Sequence, residues 1–143
     1  MDAFSALQGA QVWRNFGDWM ESEHPSLGPD IAARMEGAAR VSKRDVVEAE
    51  GPAGEVAMRV RRLAPDEALV LPTTGTPAPG RDAGVDARQA ARVAAGRLSC
   101  LASLSATPAV SLPLAKAGDL PLGIGLVGPP GADLALLAAA VAV

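Results

Sequence analysis

The chain has 143 residues, 49% of them hydrophobic, a formal net charge of −3, one cysteine and one histidine. That length predicts a single domain over residues 1–143 with enough apolar material for a core. The acidic balance, with Arg59, Arg61 and Arg62 as the local basic cluster, argues against a nucleic-acid surface of the usual basic kind. Lone Cys100 cannot form an internal disulfide and suits a reducing compartment.

In chain order, the opening MDAFSALQGAQVW lacks the apolar core of a signal peptide. Within residues 3–22, Phe4, Leu7, Val12, Phe16, Trp19 and Met20 recur at near-helical spacing. This predicts an amphipathic helix whose aromatic side anchors it to the rest of the fold, or else walls a substrate pocket or partner surface. Glu23-His24-Pro25-Ser26-Leu27-Gly28 breaks the pattern, because a proline pushes the residue before it out of the helical region. His24 stands there without a second histidine. No transition-metal site and no Ser-His-Asp triad is therefore expected, and no cofactor either. A second helix is expected from Pro29-Asp30, with a stripe of Ile31, Met35, Ala38 or Ala39, Ser42 and Val46, ending at Gly51-Pro52. A shorter basic helix over 53–63 follows, and residues 64–67 lead to a strand at 68–72.

The next segment, Pro72-Thr73-Thr74-Gly75-Thr76-Pro77-Ala78-Pro79-Gly80, is rich in prolines and hydroxyls and hangs from the end of that strand. In a mixed α/β pattern this is where ligand-binding loops gather, and Thr73 and Thr74 are the candidate binding residues. Residues 85–105 read as a helix in which Cys100 is a small buried hydrophobe rather than a nucleophile. Beyond Arg97 the only charges are Lys116, Asp119 and Asp133. Strands are expected at 108–114 and 120–128, joined through Ala115-Lys116-Ala117-Gly118-Asp119, with a final helix opening at Gly131-Ala132-Asp133. The uncharged run 120–132 is too short and too broken by Pro and Gly to cross a membrane. Gly123-Ile124-Gly125-Leu126-Val127-Gly128 has the form of a phosphate-cradling motif but lies inside a strand and meets Pro129-Pro130 instead of a helix. Its glycines are expected to mark close backbone approach by a neighbour.

Three stretches carry a family resemblance: "FSALQ" with "WRNFGDWM" and "PSLGPDIAAR" early in the chain, "LASLSATPAVSLPL" after the long helix, and "LPLGIGLVGP" with "GADLALL" at the end. Together, and in this order, they resemble the C-terminal part of amidase-signature enzymes, including indoleacetamide-hydrolase-like members. The resemblance implies an α/β class: a partial amidase-signature fold with few mixed strands (68–72, 108–114, 120–128) flanked by helices. It also implies hydrolysis of carboxamide C–N bonds to carboxylate and ammonia, with Thr73 and Thr74 bordering the substrate pocket. Many members end the long helix in Asn-x-x-Gly-x-Pro-Ala; here Ser103 and Ala106 replace the Asn and Gly while Pro108-Ala109 is kept.

The family's chemistry uses two serines and a neutral lysine, with backbone amides of a Gly/Ser-rich loop stabilising the oxyanion. This chain has no Gly-Gly or Ser-Ser pair, and its two lysines, Lys43 and Lys116, lie in polar surroundings. The expectation is a cytoplasmic fragment or subunit of an amidase, inactive alone, that completes a pocket and sheet for a missing N-terminal half or self-associates through an apolar surface. Nucleic acid and membrane are not expected partners. The alternatives are a non-catalytic interaction module and a truncated relic.

Overall fold

The computed structural model describes residues 2–63 and 66–143. Its elements run α1 (Ala3–Glu23), α2 (Pro29–Ala39), α3 (Lys43–Arg61), β1 (Leu69–Pro72), α4 (Val85–Ser105), β2 (Ala109–Ala117), β3 (Leu120–Val127) and α5 (Asp133–Val141). They divide into two compact units, Met1–Glu55 and Val56–Val143. The first holds five basic and ten acidic residues, the second eight and six, so the net negative charge belongs to the first.

In the first unit, α1 begins where the Asp2 carboxylate accepts the Ser5 amide at 2.8 Å, the side-chain cap that the free amides of a first turn require. It ends at His24, exposed and left-handed at φ 45°. The seam between α1 and α2 is made of small side chains. Ala6 and Ala38 are buried with Met35, and a Cβ at Gly9 would come within 2.9 Å of Val41 Cγ2 and 3.6 Å of Ala38 Cα. The close approach uses this small-residue side, while the stripe picked out by the helical spacing is unevenly covered: Phe4, Leu7, Val12 and Met20 are half-buried. Phe16 and Trp19 remain 51% and 47% exposed.

The boundary after α2 also differs from the expected one. The second helix was expected to run to Gly51-Pro52; instead it stops at Ala39, and α3 starts at Lys43 and continues through Pro52. The cause is local. The Ser42 amide and hydroxyl both donate to Asp45 Oδ2, at 2.8 and 2.6 Å, and the Asp45 amide donates back to Ser42 Oγ at 3.1 Å. Such a reciprocal cap marks a helix N-terminus, because it satisfies amides that the first turn leaves free. Pro52 is tolerated because it is itself exposed, to one side of buried Ala49 and Ala53, so the carbonyl it leaves without an amide can take water. Residues 64 and 65 of the expected linker lie outside the described residues.

The second unit is built on a sheet of order β1-β3-β2. Both pairings are antiparallel, with Leu71 and Ser111 flanking Gly125. β1 and β2 therefore run the same way, joined by α4, with β3 inserted between them in a split β-α-β arrangement. The strands were expected to be mixed; this order separates the two parallel ones, so no parallel pair forms among the described residues. β2 also runs on to Ala117 instead of ending at 114, with a register shift between Leu112 and Ala115. Pro113 stands in that shift, where its missing amide costs no ladder bond. The hairpin closes through Gly118-Asp119, with Gly118 at φ 61°, a conformation that favours glycine.

α5 closes one end of this sheet. Leu136 is its buried residue and lies over Gly128, where a Cβ would be 3.1 Å from Leu136 Cδ1. After Asp133 the other residues of the helix are apolar and mostly uncovered, with Leu134 82% and Val141 88% exposed. No helix of the described residues is long and apolar enough to cross a membrane.

Candidate functional site

β1 delivers the chain into the Pro72–Gly80 loop beside β3. There the Thr73 amide donates to the Gly123 carbonyl at 2.9 Å, and Ser111 Oγ donates to Thr73 Oγ1 at 3.2 Å. Gly123 makes the hydroxyl pair possible: a Cβ on it would collide with Thr73 Oγ1 and stand 2.8 Å from Ser111 Oγ. At Gly125 a Cβ would stand 3.2 Å from Thr73 Cγ2. The glycines of the strand thus mark close approach by Thr73, as their position inside a strand suggests.

The loop then rests on α4, where a Cβ at Gly75 would lie 2.9 Å from Ala94 Cβ. Thr74 Oγ1 donates to the Thr76 carbonyl at 2.8 Å, a local bond that holds the loop's shape. Between loop, α4 and β3 lies an open cleft of about 460 Å³. Thr74, Thr76 and Pro77 line one side, Arg88, Ala91 and Arg92 another, and Pro121 and Gly123 complete it. Arg88 Nη1 donates to the Ala83 carbonyl at 2.8 Å, and Arg92 Nη2 donates to Gln89 Oε1.

The structure therefore brings Thr74 into a cleft and places Thr73 beside its floor, bonded to Ser111. Ser111, Gly123 and the two arginines were not singled out as site residues from the sequence. Their relevance depends on strand register and on which face of α4 meets the loop. A serine in the otherwise apolar run 108–115 was the available signal for Ser111.

Ser103 is exposed. The buried hydroxyl at that helix end belongs to Ser105, which is completely inaccessible. Its Oγ lies 2.6 Å from the Leu101 carbonyl and 2.7 Å from Thr107 Oγ1. Its carbonyl accepts Arg61 Nε at 2.8 Å, tying α3's last turn to the end of α4. Ala106 follows in the left-handed region at φ 51°, where the family pattern has glycine. Cys100 is half-buried, not enclosed.

Chemically, the site offers neutral hydroxyls and guanidinium donors. Among the described hydrogen bonds, those of Thr73, Thr74 and Ser111 join them to one another and to backbone. Without a base to take its proton, a hydroxyl binds and orients more readily than it attacks. Such a wall suits recognition of a polar group carried by an apolar body.

No protein-family model matches the chain. It is 33% identical over 132 residues to Amidase 1 of Arabidopsis thaliana, covering 92% of this chain and 31% of that protein. To Amidase 1 of Oryza sativa subsp. japonica it is 30% identical over 135 residues, covering 92% and 31%. A crystal structure of an amidase superposes with TM-score 0.71 at 19% identity, over 96% of this chain and 33% of that one. The chain spans about a third of the length of the curated relatives it matches. Sequence and fold together make it a relative of the amidases that corresponds to about a third of an amidase chain.

Proposed function

We propose that this chain is the C-terminal portion of an amidase-signature hydrolase that cleaves carboxamides to carboxylate and ammonia. It supplies one wall of the substrate pocket, through Thr73, Thr74 and Ser111, and part of the sheet beneath. The serine nucleophile, relay serine and lysine base come from the remaining two-thirds, and residues 1–143 join that larger part in one domain. Alone, the chain hydrolyses nothing. The reading places it in the cytoplasm, with a small amide as substrate and with neither nucleic acid nor membrane as partner.

The observation that carries this reading is the uncovered surface. The accessible area is 9766 Å², whereas a compact monomer of 14.4 kDa exposes about 6,800 Å², and the same mass split into two separate compact bodies about 8,200 Å². The excess includes apolar side chains on α5 and on the two edge strands, Leu69, Val70, Leu114, Leu134 and Val141 among them. Surface of that kind is built to be covered.

The test is ammonia release from aryl and indolyl acetamides, by the chain alone and by the chain mixed with a polypeptide spanning the rest of an amidase. Activity in the mixture alone is the expected result. Turnover by the isolated chain would overturn the assignment of the nucleophile to the remainder. Silence in both, from folded protein that binds the other portion, would favour a non-catalytic module.

A further inference from the structure

The cleft beside Thr74 carries a charge arrangement that its own helix does not balance. Arg88 and Arg92 stand four residues apart on α4 and both line the cleft. Like charges at that spacing are unfavourable on a helix. The positions three and four residues to either side of them hold Val85, Gly84, Ala91, Gln89, Ala95 and Gly96, without a carboxylate. Elsewhere the chain uses the same spacing differently: Arg40 pairs with Glu36 and Arg44 with Glu48, at 3.1 and 2.6 Å. No ion pair of the described residues involves Arg88 or Arg92, whose described bonds go to the Ala83 carbonyl and to Gln89.

A guanidinium has five N–H donors in a planar fork matched to a carboxylate, so each keeps donors to spare. Around them the cleft is apolar and stiff: Ala91 and Ala95 lower the α4 wall, while Pro77, Pro79 and Pro121 form the other side. The loop is pinned by the Thr74–Thr76 bond and by Gly75 against Ala94.

We infer that this cleft binds a carboxylate-bearing ligand, with the carboxylate held between Arg88 and Arg92 and an apolar body lying along the prolines and alanines. Joined to the amidase reading, on which its role though not its binding rests, the cleft selects amides that also carry a carboxylate. Gly123 is common to the cleft lining and the Thr73–Ser111 hydroxyl pair. The hydroxyl pair thus borders the cleft at Gly123 without lining it.

The experiment is an NMR titration of the full chain with 4-phenylbutyrate and, separately, with its neutral counterpart 4-phenylbutanamide. The carboxylate should bind at least about tenfold tighter than the amide, a preference that fades with salt as charge recognition does. In the Arg88→Gln/Arg92→Gln variant the carboxylate should lose about tenfold or more while the amide is unaffected. Arg92→Lys, which keeps the charge but not the fork, should fall between. Both side chains are exposed, so the fold should survive; circular dichroism checks this, and Arg92→Lys serves if the double variant fails. Equal affinity for the two probes, undiminished carboxylate binding in the variants, or no carboxylate binding by folded chain would each overturn the inference. The titration needs no turnover. Arginine-dependent carboxylate binding without hydrolysis in any mixture would sustain the cleft and sink the amidase reading, whereas turnover of neutral amides without that binding would do the reverse.

Discussion

Gly123 shows how a single residue sets the site's geometry. Its missing side chain admits the Thr73 and Ser111 hydroxyls to the same spot, so Gly123→Ala should cost about 1–3 kcal/mol by overpacking. Gly37→Ala, in α2 with open space around it, should stabilise by about 0.5–1 kcal/mol. Denaturant midpoints of the two variants against the parent chain check the contrast, and equal shifts would refute it. At Asp45 the prediction concerns acid. Hydrogen bonds from the Ser42 side chain and backbone hold its carboxyl below the ordinary 3.8. A group with a lowered folded value contributes stability above the ordinary value and loses it as pH falls through the folded one. Amide exchange at the first turn of α3 should therefore accelerate as pH drops below that ordinary value, beyond the intrinsic pH trend. In Asp45→Asn this extra acceleration should be absent.

Among the elements, α3 and α5 respond to substitution in opposite directions. Pro52 interrupts the amide ladder of α3 from an exposed position, so Pro52→Ala should stabilise, by up to about 3 kcal/mol, the helix-interior difference between the two residues. A helix that instead unravels after residue 51 would show that proline sets the local path. In α5, Leu136 is the buried contact, and Leu136→Ala should cost about 2–5 kcal/mol. Leu134→Ala and Val141→Ala should be nearly silent in the isolated chain, because these side chains are already in water. If they weaken the complex with the rest of an amidase, α5 lies in the interface.

For the molecule as a whole, the surface excess predicts that association, not the isolated fold, completes the structure. Covering the sheet edges and α5 should raise the unfolding temperature in the presence of the remaining amidase portion, as any ligand of the native state does. A scan of the chain alone and in the mixture measures it, and an unchanged transition would count against the proposed complex.

Composition and periodicity sufficed for much of this protein. The span of the 85–105 helix, the strand pair around the Gly118 turn and the loop holding Thr73 and Thr74 are encoded in local patterns: helical spacing, uncharged runs and proline. Those signals act between near neighbours, so the residues themselves display them. The break at 40–42 was local too, but the Ser42–Asp45 cap competed with a more conspicuous Gly-Pro, and the cap prevailed because it satisfies amides that a proline merely removes. What only the tertiary structure decided was partnership across the chain. Strand register placed Ser111 opposite Gly125 and close to Thr73, the approach of the Pro72–Gly80 loop to α4 gave Arg88 and Arg92 a cleft to line, and the small-residue seam of α1 and α2 left Phe16 and Trp19 about half exposed. Such contacts join residues tens of positions apart, and which faces meet is settled by three-dimensional packing that no local periodicity records.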